Sequence, residues 1–118
     1  MLTTSLMLAA LVTLTACSSL TNEEKSYKAA VEFQEQGKLL EAIDEYGKVL
    51  ELDPVFVDAY TNRGAVYTDL GKYQKAIQDY DQAIQLNPAN EKAYSNRGNL
   101  HAGLGESDLA FGDYSQAI

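Results

Sequence analysis

Residues 60–88 read YTNRGAVYTDLGKYQKAIQDYDQAIQLNP, and the architecture can be worked out from the positions of the glycines and the proline in this stretch. Gly71 falls where a first helix must stop and the chain must reverse, a place that favours positive φ. Pro88 interrupts helical hydrogen bonding and pushes Asn87 out of the α region, so that a second helix ends there. The stretch therefore predicts two helices joined by a tight turn.

The same pattern returns every 34 residues along the chain. The recurring sets are Gly37, Gly71 and Gly105; Ala42, Ala76 and Ala110; and Tyr46, Tyr80 and Tyr114. A period of this length is typical of stacked helical hairpins, and we expect helices at about 23–36, 39–52, 57–70, 73–86, 91–104 and 107–118. Gly64 and Gly98 lie inside first helices, where Gly costs about 1 kcal/mol relative to Ala. We therefore expect a close helix crossing at both glycines, with the repeated second-helix alanines facing them.

The spacing within the middle unit resembles the signature of the tetratricopeptide repeat (TPR). The matching residues are Tyr60, Gly64, Tyr67, Ala76, Tyr80 and Pro88, with Arg63 at a position that usually holds Leu. This resemblance implies an all-α solenoid of antiparallel hairpins. It places two full repeats at 23–56 and 57–90 and a truncated third repeat at 91–118.

The N-terminal residues are typical of an export signal. Residues 6–16, LMLAALVTLTA, are uncharged and fall short of the roughly 20 residues that span a bilayer. Residues 14–17 resemble the lipobox of bacterial lipoproteins, which implies a signal peptide at 1–16 and a fatty-acylated Cys17. An incidental cysteine behind an ordinary cleavage site is the alternative interpretation.

The residues after the cysteine suggest a destination. Residues 17–22 would form the lipidated N-terminus and a short linker to the first repeat. Ser18 and Ser19 resemble the residues that follow the cysteine in lipoproteins exported to the outer membrane of Gram-negative bacteria. We therefore expect a lipid-anchored protein of the bacterial cell envelope, at the outer membrane and facing the periplasm.

Composition excludes several classes of function. The net charge is −8, whereas nucleic-acid binding needs clustered Lys and Arg, so no nucleic acid is expected as a partner. Cys17 and His101 are the only residues of their types, so one chain can form neither a disulfide framework nor a Cys/His metal site. His101 lies at the position of Phe33 and Tyr67, which favours a partly buried aromatic substitute over a general base. We expect no enzymatic activity and no cofactor.

The TPR resemblance implies a concave groove lined by the first helices, which binds a peptide or helix of a partner protein. The positions carried over are Tyr27, Lys28 and Val31; Asp58, Thr61, Asn62, Ala65 and Asp69; and Lys92, Ser95, Asn96 and Asn99, together with Glu24, Gln34, Glu35 and Thr68. Asn62 and Asn96 are equivalent positions whose carboxamides can donate to and accept from a peptide backbone. They are either ligand contacts or solvated polar positions on an exposed helix face.

One TPR subtype holds the C-terminal carboxylates of chaperone tails with Lys, Asn and Arg side chains. Asn62 and Lys92 match that subtype. Tyr27, Val31 and Asn96 depart from it and remove two positive charges and one amide. Chaperone tails are therefore not the expected ligand. The expected function is a lipid-anchored adaptor, and the alternative is a truncated gene product without independent function.

Two further expectations concern single contacts and the last helix. Arg63 and Arg97 are matched by Asp79 and Asp113 before the second-helix tyrosines, whereas the first repeat lacks both residue types at these positions. We expect intra-repeat salt bridges, each contributing about 0.2–1 kcal/mol if exposed. The last helix would expose apolar residues with no following helix, so that it frays or self-associates. These residues are Leu109, Phe111, Tyr114, Ala117 and Ile118.

Overall fold

The structure, a computed structural model, describes residues 19–118, most of which form six α-helices. In chain order these are α1 (Asn22–Glu35), α2 (Leu39–Leu52), α3 (Val57–Asp69), α4 (Tyr73–Leu86), α5 (Glu91–Gly103) and α6 (Ser107–Ala117). No strand occurs among the described residues, and each helix begins and ends within one residue of the expected position. The all-α prediction is confirmed. The expected signal peptide and Cys17 lie outside the described residues.

The helices pair into three hairpins that stack in chain order. α1 packs on α2, α3 on α4 and α5 on α6, and the second helix of each hairpin packs on the first helix of the next. α3 also contacts α5 directly. The first helices of neighbouring hairpins therefore lie side by side on one surface.

The turn inside each hairpin depends on a glycine. Gly37, Gly71 and Gly105 have φ of 75°, 74° and 79°, which confirms the expected left-handed conformation. The residue after each glycine donates its backbone N–H to a carbonyl five positions earlier, as from Lys72 to Tyr67 at 2.9 Å. This bond satisfies one of the carbonyl oxygens that a helix end leaves unpaired.

The turn between hairpins depends on a short polar side chain followed by proline. Oδ1 of Asp53 accepts from the backbone N–H of Val55 at 3.2 Å, and Oδ1 of Asn87 accepts from Ala89 at 3.1 Å. Such side-chain bonds to the backbone two residues on stabilise a turn without helical continuation. They fix where the second helix of one repeat ends and the next repeat begins.

Small and aromatic side chains form the core between the hairpins. The buried residues around the first two hairpins are Ala30, Ala42, Tyr46, Val49, Ala59 and Val66, and those between the second and third include Ala76, Tyr80 and Leu100. The alanines allow the helices to approach closely, and the tyrosines fill the space between neighbouring hairpins.

The side chains nearest to the mid-helix glycines are second-helix tyrosines and not the alanines that we expected there. A Cβ on Gly64 would lie 2.7 Å from Cε1 of Tyr80, and one on Gly98 would lie 2.9 Å from Cε1 of Tyr114. Each tyrosine stands four residues after the alanine, on the same face of its helix, and reaches further. The glycines therefore make room for an aromatic ring.

The expected salt bridges are confirmed, but their carboxylates are buried. Nε and Nη2 of Arg63 each donate to Asp79 at 2.8 Å. Arg97 donates to Asp113 at 2.9 and 2.7 Å and to Asp81 at 2.6 Å. The hydrogen bonds to Asp79 raise the pKa of Arg63, and those to Asp113 raise the pKa of Arg97. The Arg63–Asp79 and Arg97–Asp113 pairs each join the two helices of one hairpin, whereas the Arg97–Asp81 pair joins α5 to α4 of the preceding hairpin.

Candidate peptide-binding groove

The twelve predicted groove positions all lie on α1, α3 and α5, but their exposure differs. The exposed ones are Lys28, Asp58, Asp69, Lys92 and Asn99, and the half-buried ones are Tyr27, Val31, Ala65, Ser95 and Asn96. Of the remaining inner positions, Glu24 and Glu35 are exposed, and Gln34 and Thr68 are half-buried. Thr61 and Asn62 are buried.

Thr61 is not on the groove surface, and its inclusion there is wrong. Its side chain is 1% exposed. Its hydroxyl donates to the carbonyl of Val57 at 3.3 Å and accepts from Nδ2 of Asn90 at 3.2 Å. Oδ1 of Asn90 in turn accepts the backbone N–H of Ala93 at the start of α5. Thr61 thus links the second and third hairpins from the inside.

Asn62 bridges all three hairpins. It is thus neither the ligand contact nor the solvated polar position that the sequence suggested. Nδ2 of Asn62 donates to the hydroxyl of Tyr27 at 3.0 Å, while Oδ1 accepts from Nζ of Lys92 at 2.8 Å. Both ends of the carboxamide are therefore engaged within the chain. These three residues tie α1, α3 and α5 together across the groove surface.

Two of the groove residues predicted in the first hairpin, Tyr27 and Val31, pack against the core instead. The ring of Tyr27 lies 4.9 Å from that of Phe56 and 6.0 Å from that of Tyr46, measured between centroids. Burial, followed by the charge of Asp58, raises the pKa of Tyr27. Val31 packs against the same core. The open surface of the groove therefore lies toward the second and third hairpins.

A cavity of about 350 Å³ opens between the second and third hairpins. It is lined by Ala65, Thr68, Asp69, Tyr73, Tyr80, Asn96, Asn99, Leu100, Gly103 and Leu104. We call it the repeat 2–3 cavity. Its size is at the lower end of the range of small-ligand pockets, which suits one or two side chains of a bound segment. Five of its lining residues were predicted groove positions.

Some polar side chains of the cavity are hydrogen-bonded within the chain, and others keep unused donors and acceptors. Thr68 donates to the carbonyl of Gly64 at 2.9 Å, so the Tyr80 hydroxyl is the donor in their 3.1 Å contact. Burial raises the pKa of Tyr80. Oδ1 of Asn99 accepts from Tyr114 at 2.6 Å, which leaves its Nδ2 available. Within residues 19–118 no hydrogen bond engages the Asn96 side chain.

Sequence reasoning missed the lining residues that are not on first-helix groove positions. Tyr73 and Tyr80 belong to α4, and Leu104 follows α5, so the rule that first helices line the groove does not select them. One signal was present in the repeat pattern. Gly103 stands where the first two repeats have Glu35 and Asp69, and the loss of that side chain opens the cavity.

The lone histidine is buried, as its repeat position predicted. Nδ1 of His101 lies 2.6 Å from Oε2 of Glu106, and Nε2 lies 3.8 Å from Oδ2 of Asp113. Residues 19–118 contain no group of three or more His, Cys, Asp or Glu side chains placed to hold a metal ion. The contact with Glu106 links His101 on α5 to the residue that precedes α6.

Comparisons with known structures agree with this geometry. MamA is similar over 82% of this chain at 30% identity and a TM-score of 0.79, and this chain spans 57% of MamA. The first TPR of Spaghetti (RPAP3), bound to the HSP90 peptide SRMEEVD, is 33% identical with a TM-score of 0.78, and 81% of this chain matches 76% of that one. The Arabidopsis OM64 TPR domain is 25% identical over 81% of this chain and 79% of its own, with a TM-score of 0.79.

Family models give the same result along the sequence. The model described as TPR repeat matches residues 30–71, and the one described as Tetratricopeptide repeat matches residues 57–90. A comparison with curated proteins finds no match. The repeat spacing, the stacked hairpins and these matches together show that the chain belongs to the tetratricopeptide repeat family.

Proposed function

We propose that this chain is an adaptor that binds a segment of a partner protein in the repeat 2–3 cavity and the groove around it. TPR arrays commonly mediate protein–protein interactions, and the similar RPAP3 structure holds a peptide. The observation that carries the proposal is the cavity itself, an apolar hollow rimmed by carboxamides with unused hydrogen-bonding groups. A carboxamide can both donate to and accept from a peptide backbone.

Filling the cavity tests this proposal. A Cβ on Gly103 or on Gly112 meets nothing within 4 Å, so both positions accept a larger side chain. Gly103 lines the cavity, whereas Gly112 lies on α6 outside it. Peptides selected from a displayed library on the immobilised full chain should lose about tenfold or more in affinity with Gly103→Leu. Gly112→Leu is the matched control, and equal losses in both variants would contradict the proposal.

The proposed adaptor is anchored by lipid at the bacterial cell envelope, at the outer membrane. The support is the lipobox resemblance at residues 14–17. None of the helices in residues 19–118 is long and apolar enough to cross a bilayer. α1 begins at Asn22, five residues after Cys17, so a lipid there would hold the array within about 18 Å of the membrane surface.

The thiol is the testable part of the anchor. Cys17→Ala should abolish incorporation of a fatty-acid analogue in metabolic labelling and release the protein from the membrane fraction. Cys17→Ser is a second variant that keeps the polarity and size of the side chain but offers no thiol. Label retained in either variant would refute lipidation at this residue.

We also propose that a second copy of the chain covers α6. Phe111 and Tyr114 lie on α6 and Ile118 follows its last residue, and all three are exposed. The equivalent positions in α2 and α4 are half-buried or buried, since the next hairpin packs on them. The repeat thus places a core-type face at the surface, and contiguous apolar patches of this kind mark interaction sites.

A further inference from the structure

The charge distribution around the repeat 2–3 cavity indicates what kind of segment it binds. Asp69 is the only charged residue among the described residues that line the cavity. It is exposed, and within residues 19–118 no ion pair engages its carboxylate. An unpaired carboxylate at the rim of an apolar hollow attracts a cation and repels an anion.

The two arginines of the second and third hairpins do not offset that carboxylate. Arg63 is held by Asp79, and Arg97 by Asp113 and Asp81. An arginine that already donates two bonds to a buried carboxylate cannot turn toward a ligand without leaving that charge unpaired.

Lys92, a lysine at the start of α5, donates from Nζ to Oδ1 of Asn62 at 2.8 Å. The whole chain carries a net charge of −8, so the long-range field also attracts cations.

The lining of the cavity favours an apolar side chain in the bound segment. Ala65, Leu100, Leu104 and the ring of Tyr73 supply apolar surface, and Gly103 leaves the hollow open. A volume of about 350 Å³ accepts a side chain as large as Leu or Phe. Asn96 and Asn99 stand beside this hollow, where their amides can meet the backbone that carries such a side chain.

We propose that the repeat 2–3 cavity binds a bulky apolar side chain of a partner segment that has Lys or Arg beside it. This inference rests on the proposed peptide-binding function and narrows it to cationic segments. It places the cation at Asp69 and the apolar side chain between α3 and α5. Acidic tails of the SRMEEVD type are excluded from this cavity by the same carboxylate.

An array of nonapeptides tests the chemistry directly. The central residue is Leu, Phe or Ala, and its two neighbours are Lys, Ser or Glu, with a neutral Gly/Ser context throughout. The full chain should bind the Leu and Phe peptides flanked by Lys about tenfold more tightly than those flanked by Glu. Replacing the central residue by Ala should weaken binding of the Lys-flanked peptides, because the cavity is then left unfilled.

Two variants with the same change in net charge test whether Asp69 causes the preference for Lys-flanked peptides. Asp69→Asn should remove the preference for Lys over Glu and flatten the salt dependence of binding. Asp44→Asn, an exposed aspartate on α2, makes the same change in net charge outside the groove and should leave the preference intact. An equal effect of the two variants would overturn the inference.

The outcomes separate this inference from the proposed function. Tighter binding of Glu-flanked peptides or of SRMEEVD, still sensitive to Gly103→Leu, would overturn the cationic preference and leave the peptide-binding function standing. Binding of equal affinity whatever the central residue would overturn the inferred apolar side chain and leave only peptide binding in the groove around the cavity standing. If the library yields no binder and no array peptide binds, both the proposed function and the cationic preference are overturned.

Discussion

The Arg63–Asp79 pair is a buried ion pair that joins the two helices of the second hairpin. Its carboxylate is 8% exposed and accepts two hydrogen bonds from one guanidinium. Removal of one partner leaves a buried charge unpaired, which costs about 3–5 kcal/mol. The range of 0.2–1 kcal/mol expected for an exposed pair is therefore too small here.

Arg63→Ala should accordingly lower the free energy of unfolding by about 3 kcal/mol or more, measured by urea denaturation. Lys48→Ala is the control, since the Lys48–Glu45 pair is at the surface, and it should leave the midpoint nearly unchanged. The double variant Arg63→Met with Asp79→Leu should be less destabilised than Arg63→Ala. A loss as small in Arg63→Ala as in Lys48→Ala would contradict the burial argument.

Tyr46 makes the stability of the chain sensitive to alkaline pH. Burial raises its pKa above the ordinary value of 10.0, and its hydroxyl donates to Gln34 at 2.6 Å. Its contribution is fully present below pH 10. Above that pH the unfolded chain releases a proton that the folded chain retains, so stability falls by up to about 1.4 kcal/mol per pH unit.

Urea denaturation at pH 8 and pH 11 should therefore show a smaller alkaline loss for Tyr46→Phe than for the unmodified chain. Tyr73→Phe provides the comparison, because it removes the hydroxyl of an exposed tyrosine on α4. The same loss in Tyr46→Phe as in the unmodified chain would contradict the assignment.

At the scale of the helices, the two kinds of mid-helix glycine should respond to alanine in opposite directions. Gly64→Ala puts a Cβ 2.7 Å from the buried ring of Tyr80, so the gain in helix propensity is outweighed by overpacking of about 1–3 kcal/mol. Gly112→Ala meets open space and should stabilise α6 by up to about 1 kcal/mol. Thermal unfolding of both variants decides this, and a stabilised Gly64→Ala would contradict the close approach.

The helices and turns could be predicted because local chemistry determines them. Gly71 needs positive φ, and Pro88 ends a helix whatever surrounds it. The burial of Thr61 and Asn62 could not be predicted in this way. It depends on how one hairpin rotates against the next, and a period of 34 fixes which positions are equivalent but not that rotation. Asn62 and Asn96 are equivalent in sequence, yet only the former lies between two other hairpins.

For the whole molecule, the two ends of the array differ in the surface that they present. Lys25 is exposed on α1 at the position where the second and third hairpins have the buried Ala59 and Ala93. The first hairpin thus carries a charge where stacking needs a small apolar residue. α6 instead presents Phe111, 75% exposed, and is followed by the exposed Ile118. Head-to-tail stacking would bury the Lys25 ammonium, whereas tail-to-tail pairing of two α6 helices buries exposed apolar side chains and no lysine.

Tail-to-tail pairing predicts that protection of α6 depends on protein concentration. α4 packs against both α3 and α5, whereas α6 packs mainly on α5 among the described helices, so in the monomer α6 should open more readily. Amides of α6 should therefore exchange faster than those of α4 in dilute solution and slow down as dimers form, because a second copy then covers the apolar face. Phe111→Ser should abolish the dependence on concentration. Leu40→Ser, which removes an exposed leucine from α2, should leave it unchanged. Protection of α6 equal to that of α4 in a chain that sediments as a monomer would refute the pairing, since a lone copy would then stabilise its last helix by itself.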